Sequence, residues 1–212
     1  YYGDNINNSV AMGYASLYHG DANTTSTVAV GYYAGTYATG SYNTFVGSDA
    51  GKGGTTSAPY SSGQYNVAVG AEAFDAFTTG GANVAIGHQA LSGITTGQYN
   101  VAIGYQALLD ADNNEEGNVA IGYKAAENLN YNGSGNNISI GYYAMLCGTL
   151  SAAITDNIAI GEYALSSITT SDENVAIGGW AMYGITTGNL NTAIGFEALK
   201  VHVSGHSNTA IG

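Results

Sequence analysis

A short block of residues recurs twelve times along this chain, and it limits the possible folds more than any other feature. The block reads Asn-Val-Ala-Ile-Gly at 83–87, 100–104, 118–122 and 174–178, and looser copies fill the rest of the 212 residues. Successive copies are 16 to 23 residues apart, most often 17 or 18. Repeats of about this length are typical of solenoids, in which each copy forms one structural unit. The closing glycines are Gly13, Gly31, Gly47, Gly70, Gly87, Gly104, Gly122, Gly141, Gly161, Gly178, Gly195 and Gly212.

The positions of the block alternate between large and small side chains. The residue three before the glycine is β-branched in all twelve copies, and the residue just before it is Met, Val or Ile. The residue between them is Ala in ten copies, with Phe45 and Ser139 as the exceptions. Asn leads ten copies, and Ser9 and Thr27 lead the other two. This period-two alternation predicts a strand of four or five residues with two different faces.

The residues after the glycine form a second pattern, x-x-Ala-Leu. We expect it to make a second short extended segment, because a glycine inside a strand pattern marks a bend. The remaining six to eight residues of each copy are rich in Thr, Gly, Asn, Asp and Ser, which is turn chemistry. Length differences between copies fall in these turns, as at 57–64 and 110–117.

One short strand pair in 17 or 18 residues cannot bury its own face, so the copies must stack. The sequence therefore predicts an all-β fold, a parallel β-solenoid (β-roll) of about 12 coils of 17–18 residues. With one coil every 4.8 Å or so, the rod would be about 55 Å long. Residues 1–212 read as a single repeat domain. Because the chain starts with Tyr1-Tyr2, the pair that also follows Gly31 and Gly141, and ends on Gly212, we expect a fragment of a longer rod or a stackable subunit.

The charge balance excludes two classes of partner. The chain has three Lys, no Arg and fifteen acidic residues, for a net charge of −12, and only 8% of its residues are charged. Three cations cannot release enough counterions to drive binding to nucleic acid or to an anionic lipid surface. No apolar run approaches the roughly 18 residues of a membrane span, so we expect no membrane insertion in this segment.

The two strand faces also bear on assembly. Val101 and Ile103 point to one side of their strand and Ala102 to the other. A coil this small encloses a thin interior that only one of these classes can fill, which leaves the other in need of a partner. The sequence therefore predicts a homo-oligomer along the rod axis. Asn at one position of every coil also predicts a hydrogen-bonded ladder between coils.

The blocks Asn-Val-Ala-Ile-Gly-x-x-Ala-Leu and Thr-Thr-Gly-x-Tyr-Asn resemble known surface-fibre repeats. They are similar to the head repeats of YadA-like trimeric autotransporter adhesins, and still more to repeats of phage tail-fibre proteins that end in an endosialidase-type chaperone. All twelve copies share the resemblance, although the adhesin heads use shorter, Ser- and Ala-richer coils. It implies a trimer of parallel β-rolls that binds surfaces. The motif is structural, so it assigns no functional residue.

These observations favour an extracellular structural and adhesive fibre module, either a bacterial surface adhesin head or a phage tail-fibre shaft. Its location would be the cell surface or the virion fibre, and its partners a cell-surface glycan or protein receptor. We expect no catalytic, cofactor-binding or metal-binding residue and no cofactor. One alternative is a structural filament subunit with no receptor. Another is a β-helix enzyme, an acyltransferase or a polysaccharide hydrolase.

The strongest metal candidate is the acidic stretch 110–116. Asp110, Asp112 and Asn114 match the first oxygen positions of a calcium loop, but Glu115 stands where a glycine is needed and Ile121 where the last carboxylate belongs. We interpret the stretch as a solvated acidic loop, with weak divalent-cation binding as the alternative.

Catalytic candidates are few and scattered. Ile86–Leu91 matches one hexapeptide of the left-handed β-helix acyltransferases, with His88 as a conceivable base. A hydrolase would use the carboxylate pairs Glu72 with Asp75 and Asp172 with Glu173. The remaining histidines, His19, His202 and His206, form no metal-spaced cluster. Ice binding is disfavoured because the adjacent threonine pairs at 95–96, 169–170 and 186–187 lie in predicted turns.

Aromatic residues are the best candidates for a surface function. The residue after the glycine is aromatic in six copies, and stacking predicts that Tyr105 lies over Tyr123 and Tyr142. Such a ladder could close an oligomer seam or bind sugars or proteins. Phe77 and Tyr60 are predicted loop tips that would contact a receptor. The six aromatic residues are Tyr14, Tyr32, Tyr105, Tyr123, Tyr142 and Phe196.

Overall fold

The computed structural model describes residues 7–21, 24–110, 114–201 and 203–212. Twelve strands of three residues each form a single parallel sheet in sequence order, so every strand pairs with the strand of the next coil. The described residues contain no α-helix. The solenoid of about twelve coils predicted from the repeat is thereby confirmed. The strands are β1 (Val10–Met12), β2 (Val28–Val30), β3 (Thr44–Val46), β4 (Val67–Val69), β5 (Val84–Ile86), β6 (Val101–Ile103), β7 (Val119–Ile121), β8 (Ile138–Ile140), β9 (Ile158–Ile160), β10 (Val175–Ile177), β11 (Thr192–Ile194) and β12 (Thr209–Ile211).

The register follows the block of the repeat without a slip. Val101 pairs with Val119, Ala102 with Ala120 and Ile103 with Ile121, and the same alignment holds from β1 to β12. The length differences between copies are therefore absorbed in the turns, as predicted. The Tyr1-Tyr2 pair lies outside the described residues.

The small face of each strand lines the interior. Ala102 is fully buried, whereas Val101 and Ile103 on either side of it are half-buried. Of the two classes that compete for the interior, the alanines fill it, and the β-branched side chains face outward. The outward face is most exposed at the ends of the sheet, where Met12 is 64% and Ile211 77% exposed.

The predicted second extended segment after each glycine is wrong. In the coil that contains β6, Gln106 and Leu108 have left-handed φ angles of 53° and 52°, and the segment is a chain of turns. The reason is that Ala107 and Leu108 are both fully buried. Neighbouring residues of an extended strand point to opposite faces, so a strand could not place both inside. The strands are also shorter than predicted, at three residues, because the leading Asn bonds through its side chain and the Gly turns the backbone.

The predicted asparagine ladder is confirmed. The backbone N–H of Asn100 donates to Asn83 Oδ1 at 2.9 Å, and Asn100 Nδ2 donates to the same oxygen at 3.2 Å. Asn100 Nδ2 also donates to the carbonyl oxygen of Glu115 at 2.8 Å. Each buried Asn thus ties its coil to the preceding one and also holds a turn in place. The pattern repeats from Asn43 to Asn208, and at the first coils the hydroxyls of Ser9 and Thr27 accept in place of an amide oxygen.

The closing glycines, apart from Gly212, have no room for a side chain. Gly104 has a φ of 138°, and a Cβ built on it would lie 2.2 Å from the carbonyl oxygen of Gly122 in the next coil. The φ angle lies in a region that side-chain-bearing residues rarely adopt. A glycine at this position therefore lets adjacent coils approach to hydrogen-bonding distance.

Phe45, the one large residue on the alanine face, is compensated by two glycines. Most coils place a large apolar residue four positions after the glycine, as Leu91 does, but the coil that contains Phe45 has Gly51 there and the preceding coil has Gly35. A Cβ on Gly51 would lie 2.1 Å from Phe45 Cδ1, and a Cβ on Gly35 would lie 2.9 Å from Phe45 Cδ2. The phenyl ring fills the volume that two leucines fill elsewhere.

This compensation predicts a rescue between two substitutions. Phe45→Ala should lower the free energy of unfolding by about 3–5 kcal/mol, because it empties a fully buried site. Gly51→Leu alone should also destabilise the protein, because the new side chain overlaps the phenyl ring. The double variant Phe45→Ala with Gly51→Leu restores the Ala and one of the two leucines of the other coils, so it should recover part of the lost unfolding free energy, measured by urea unfolding. Additive losses would show that the two positions do not share one volume.

Candidate interaction surface

The aromatic ladder predicted after the glycines is present and longer than expected. Tyr105 and Tyr123 stack with ring centroids 5.3 Å apart and planes 7° from parallel, and Tyr123 stacks on Tyr142 at 5.2 Å. His88 lies at the head of the same ladder, 5.3 Å from Tyr105. The rings are spaced by the coil repeat, so each ring's neighbours cover its faces and leave its edge to solvent. Tyr14 and Tyr32 form a separate stack, with centroids 5.6 Å apart.

A second aromatic column, which was not predicted, runs beside the first. Tyr143 stacks on Tyr163 at 5.3 Å, and Trp180 follows at 4.7 Å. Tyr142 and Tyr143 meet edge to face at 4.6 Å, which joins the two columns into one surface. The signal in the sequence is the second residue after the glycine, which is aromatic at these positions.

A third column precedes the leading asparagines, and its rings are more than half exposed. Tyr42 and Tyr65 stack with centroids 5.1 Å apart and parallel planes. Tyr99 occupies the same place two coils further on and is 64% exposed. Its signal is the Gln-Tyr-Asn sequence at 64–66 and 98–100.

The two predicted loop-tip aromatics behave differently from the expectation. Phe77 is fully buried and packs on Phe74 with centroids 4.9 Å apart, so its prediction as a receptor contact is wrong. Its turn folds the ring inward because the interior on that side needs large apolar side chains. Tyr60 stacks on His19 at 4.4 Å, and Tyr37 stacks on the imidazole at 5.1 Å. Burial lowers the pKa of His19.

The carboxylate pairs of the hydrolase alternative have structural partners. Glu72 accepts a hydrogen bond from Gln89 Nε2 at 2.7 Å, and Asp172 Oδ1 accepts one from the backbone N–H of Thr155 at 2.7 Å. Glu173 is exposed. Asp75 differs: burial, with a smaller contribution from the charge of Glu72, raises its pKa to about 6.

The remaining candidates are dispersed over the molecule. Of the acidic stretch, Asp112 lies outside the described residues, while Glu115 is buried and Asn114 is exposed. His202 also lies outside them, and His206 Nδ1 accepts from the backbone N–H of Asn189 at 3.1 Å. Within the described residues no three His, Cys, Asp or Glu side chains converge on a metal position. The threonine pairs lie in turns, as predicted.

The three lysines form ion pairs, and the one cysteine is buried. Lys52, Lys124 and Lys200 each pair with an acidic residue three positions earlier or later, at 2.5 to 2.8 Å. Burial raises the pKa of the Cys147 thiol, and Cys147 Sγ lies 3.2 Å from the carbonyl oxygen of Met145. No helix in the described part of the chain is long and apolar enough to cross a membrane.

Comparison with known proteins finds no matching family model, no similar curated protein and no similar solved structure.

The raised pKa of Asp75 predicts a particular pH dependence of stability. Because the pKa is higher in the folded state than the ordinary 3.8, the folded protein holds this proton more tightly, and stability falls as pH rises from about 4 to about 6. Asp75→Asn should remove that part of the pH dependence, about 1 kcal/mol after allowing for solvent screening. Urea unfolding between pH 4 and pH 7 measures it.

The exposed Asp156 offers a matched control for this measurement. Asp156→Asn should leave the difference in unfolding free energy between the two ends of the pH range as in the wild type. Equal pH profiles for Asp75→Asn and the wild type would contradict the prediction.

Proposed function

We propose that this chain is an extracellular structural and adhesive fibre module that forms a homotrimeric rod and attaches to surfaces without catalysis. The observation that carries the proposal is the outward face of the sheet. Two columns of β-branched or other apolar side chains run along all twelve strands on that face, half-buried or exposed. Soluble monomers rarely expose apolar surface this continuous.

The size of this face fits an interface. The β-branched columns and the neighbouring aromatic ladder together form a band about 55 Å long and about 15 Å wide, or roughly 800 Å², which is what each partner buries in a stable complex. Most of the band carries no charge, and Lys124 on its aromatic edge is paired with Glu127.

A second copy of the same chain is the partner that matches the band. Its side chains repeat with the same coil spacing, so ridges of Val and Ile on one copy fit between those of another along the whole rod. A globular partner lacks this repeat and would match only a few coils. This argument supports a homo-oligomer, and the resemblance to adhesin heads and tail-fibre repeats implies that it is a trimer.

Attachment is supported by the exposed aromatic residues. Tyr65 and Tyr99, which lie outside that band, are more than 60% exposed. Tyrosine combines a large apolar ring with a polar tip, and it is enriched where proteins recognise ligands. An extracellular location fits the adhesive role.

The filament alternative retains the same rod and removes the receptor. It is favoured by the uniformity of the sheet, in which the strands from β1 to β12 pair in the same register and repeat one coil geometry along the described rod. Electron micrographs of the purified protein separate the two: discrete short rods fit an adhesive module, and long chains of rods fit the filament.

The oligomer is tested by a charge on the outward face. Wild type should sediment at three times the 21.5 kDa of one chain. Val101→Glu should shift it to the monomer, because association would bury a carboxylate in each copy. Ser151→Glu, in an exposed turn, adds the same charge and should leave the trimer intact. A stable folded wild-type monomer would contradict the proposal.

Adhesion is measured with the wild-type rod coated on beads and presented to bacterial and animal cell surfaces under flow. The proposal expects retention on at least one surface, in competition with soluble protein. Retention no different from uncoated beads on every surface would leave the filament role as the better account.

A further inference from the structure

The third aromatic column is interrupted at one coil, and the interruption forms a notch. Gly-Gln-Tyr-Asn occurs at 63–66 and again at 97–100, but the coil between them has Gly-Gly-Ala-Asn at 80–83. Gly81 and Ala82 thus replace a Gln-Tyr pair that both neighbouring coils possess. A surface pocket of about 350 Å³ opens there, with Tyr65 and Gln64 on one side and Tyr99 and Gln98 on the other.

The width of the notch equals one missing ring. Tyr65 and Tyr99 are two coils apart, so about 10 Å separates their rings. A ring inserted halfway would lie about 5 Å from each of them. That is the spacing of Tyr42 and Tyr65, whose centroids are 5.1 Å apart, and it falls within the favoured range for ring packing. Ala82 leaves the space open because its side chain is a single methyl group.

The walls of the notch are already in place before any ligand binds. Tyr65 and Tyr99 have the same backbone conformation, with φ of 61° at both, and each follows a Gln and precedes a buried Asn of the ladder. The Asn ladder and the coil hydrogen bonds therefore hold the two walls at a fixed distance. A ligand would lose little free energy to reorganising the site.

We propose that this notch binds an uncharged pyranose ring of a glycan, sandwiched between Tyr65 and Tyr99 over Ala82. The proposal rests on the proposed adhesive function and names the ligand class and the position where contact is made. A pyranose has a C–H face that packs on the π face of a tyrosine. It also carries hydroxyls around its rim.

The polar groups at the notch match that rim. Gln64, Gln98 and Thr79 line the opening and supply amide and hydroxyl groups that both donate and accept hydrogen bonds. A Phe, Tyr or Trp side chain of a partner protein has at most one polar group and would leave most of these unused. The sugar therefore fits the notch better than a protein side chain does.

The absence of charge selects among sugars. No charged residue is among the described residues that line the notch, and the protein as a whole is strongly acidic. Nothing at the site would offset the charge of a sialic acid or a sulfated sugar, and the overall field would repel it. The ligand is consequently a neutral hexose or N-acetylhexosamine.

Binding is tested by saturation-transfer NMR on the full chain. The neutral probes are methyl β-glucoside, methyl β-galactoside and chitotriose, and the comparison probes are N-acetylneuraminic acid and phenol. We expect at least one neutral probe to receive saturation at its ring C–H protons and N-acetylneuraminic acid to receive none. No transfer to any neutral probe, or tighter binding of phenol than of every sugar, would overturn the proposal.

The key variant is Ala82→Tyr, which supplies the missing ring from the chain itself. The φ of 56° at this position is close to those of the tyrosines in the column, so the variant should fold, and its melting temperature should rise because the ladder becomes continuous. Sugar affinity should fall at least tenfold. A more stable protein that has lost binding cannot be explained by misfolding.

Two further variants define the site. Tyr99→Ala removes one wall and should also weaken binding at least fivefold. Leu190→Tyr adds a tyrosine at the same position of another coil, where φ is 61°, and should leave affinity within twofold of wild type. Wild-type affinity in Ala82→Tyr would overturn the proposal. A change in the oligomeric state of Ala82→Tyr would also overturn the proposal, because it would show that a second copy of the chain, and not a sugar, occupies the notch.

The bead assay distinguishes failure of this proposal from failure of the adhesive function. If Ala82→Tyr binds both sugars and cells as wild type does, the notch is not the site and the adhesive function stands. If the wild-type beads adhere to no surface, the adhesive function fails whatever the sugar titrations show.

Discussion

The structure depends on the close, in-register stacking of one coil on the next. Two positions enforce that stacking. Gly104 and its equivalents remove the side chain that would keep adjacent backbones apart, and Asn100 and its equivalents bond across the gap with both backbone and side-chain groups. A slip by one residue would expose the alanines and bury unpaired amides, so the register has little freedom. The stacking at these glycines and asparagines sets the distance between coils, and therefore the spacing of every other column of side chains along the rod.

That inherited spacing connects the fold to the surfaces used for function. A side chain at any position is repeated once per coil, which turns single tyrosines into ladders and single valines into continuous apolar columns. It also makes exceptions informative. Phe45 occurs where Gly35 and Gly51 make room for it, and Gly81 with Ala82 open a notch where a ladder would otherwise continue. In this kind of fold, binding sites arise from interruptions of a column as readily as from added loops.

Much of this was predictable from the sequence, and the rest was not for definite physical reasons. The strand at Val101–Ile103, its register and the Asn ladder follow from a period of two and a strict repeat. The backbone path of residues 105–109 cannot be predicted in this way, because it depends on left-handed φ angles at residues such as Gln106, whose residue type does not indicate that conformation. Phe77 is wrongly predicted to be exposed because it lies in a turn sequence, and only the packing of the interior explains why its ring is buried. The notch is not predictable from the sequence alone, because it depends on Ala82 being stacked between Tyr65 and Tyr99.

Amide hydrogen exchange at the leading asparagines measures the stacking most directly. In the stacked solenoid the backbone N–H of Asn66, Asn83, Asn100 and Asn118 is buried and bonded to the preceding asparagine, so it can exchange only when the coils separate. NMR should find these amides exchanging together, at the slowest rates in the protein and with the free energy of global unfolding. Exchange at these amides as fast as that of exposed turn amides such as Gln64 would contradict the stacked solenoid.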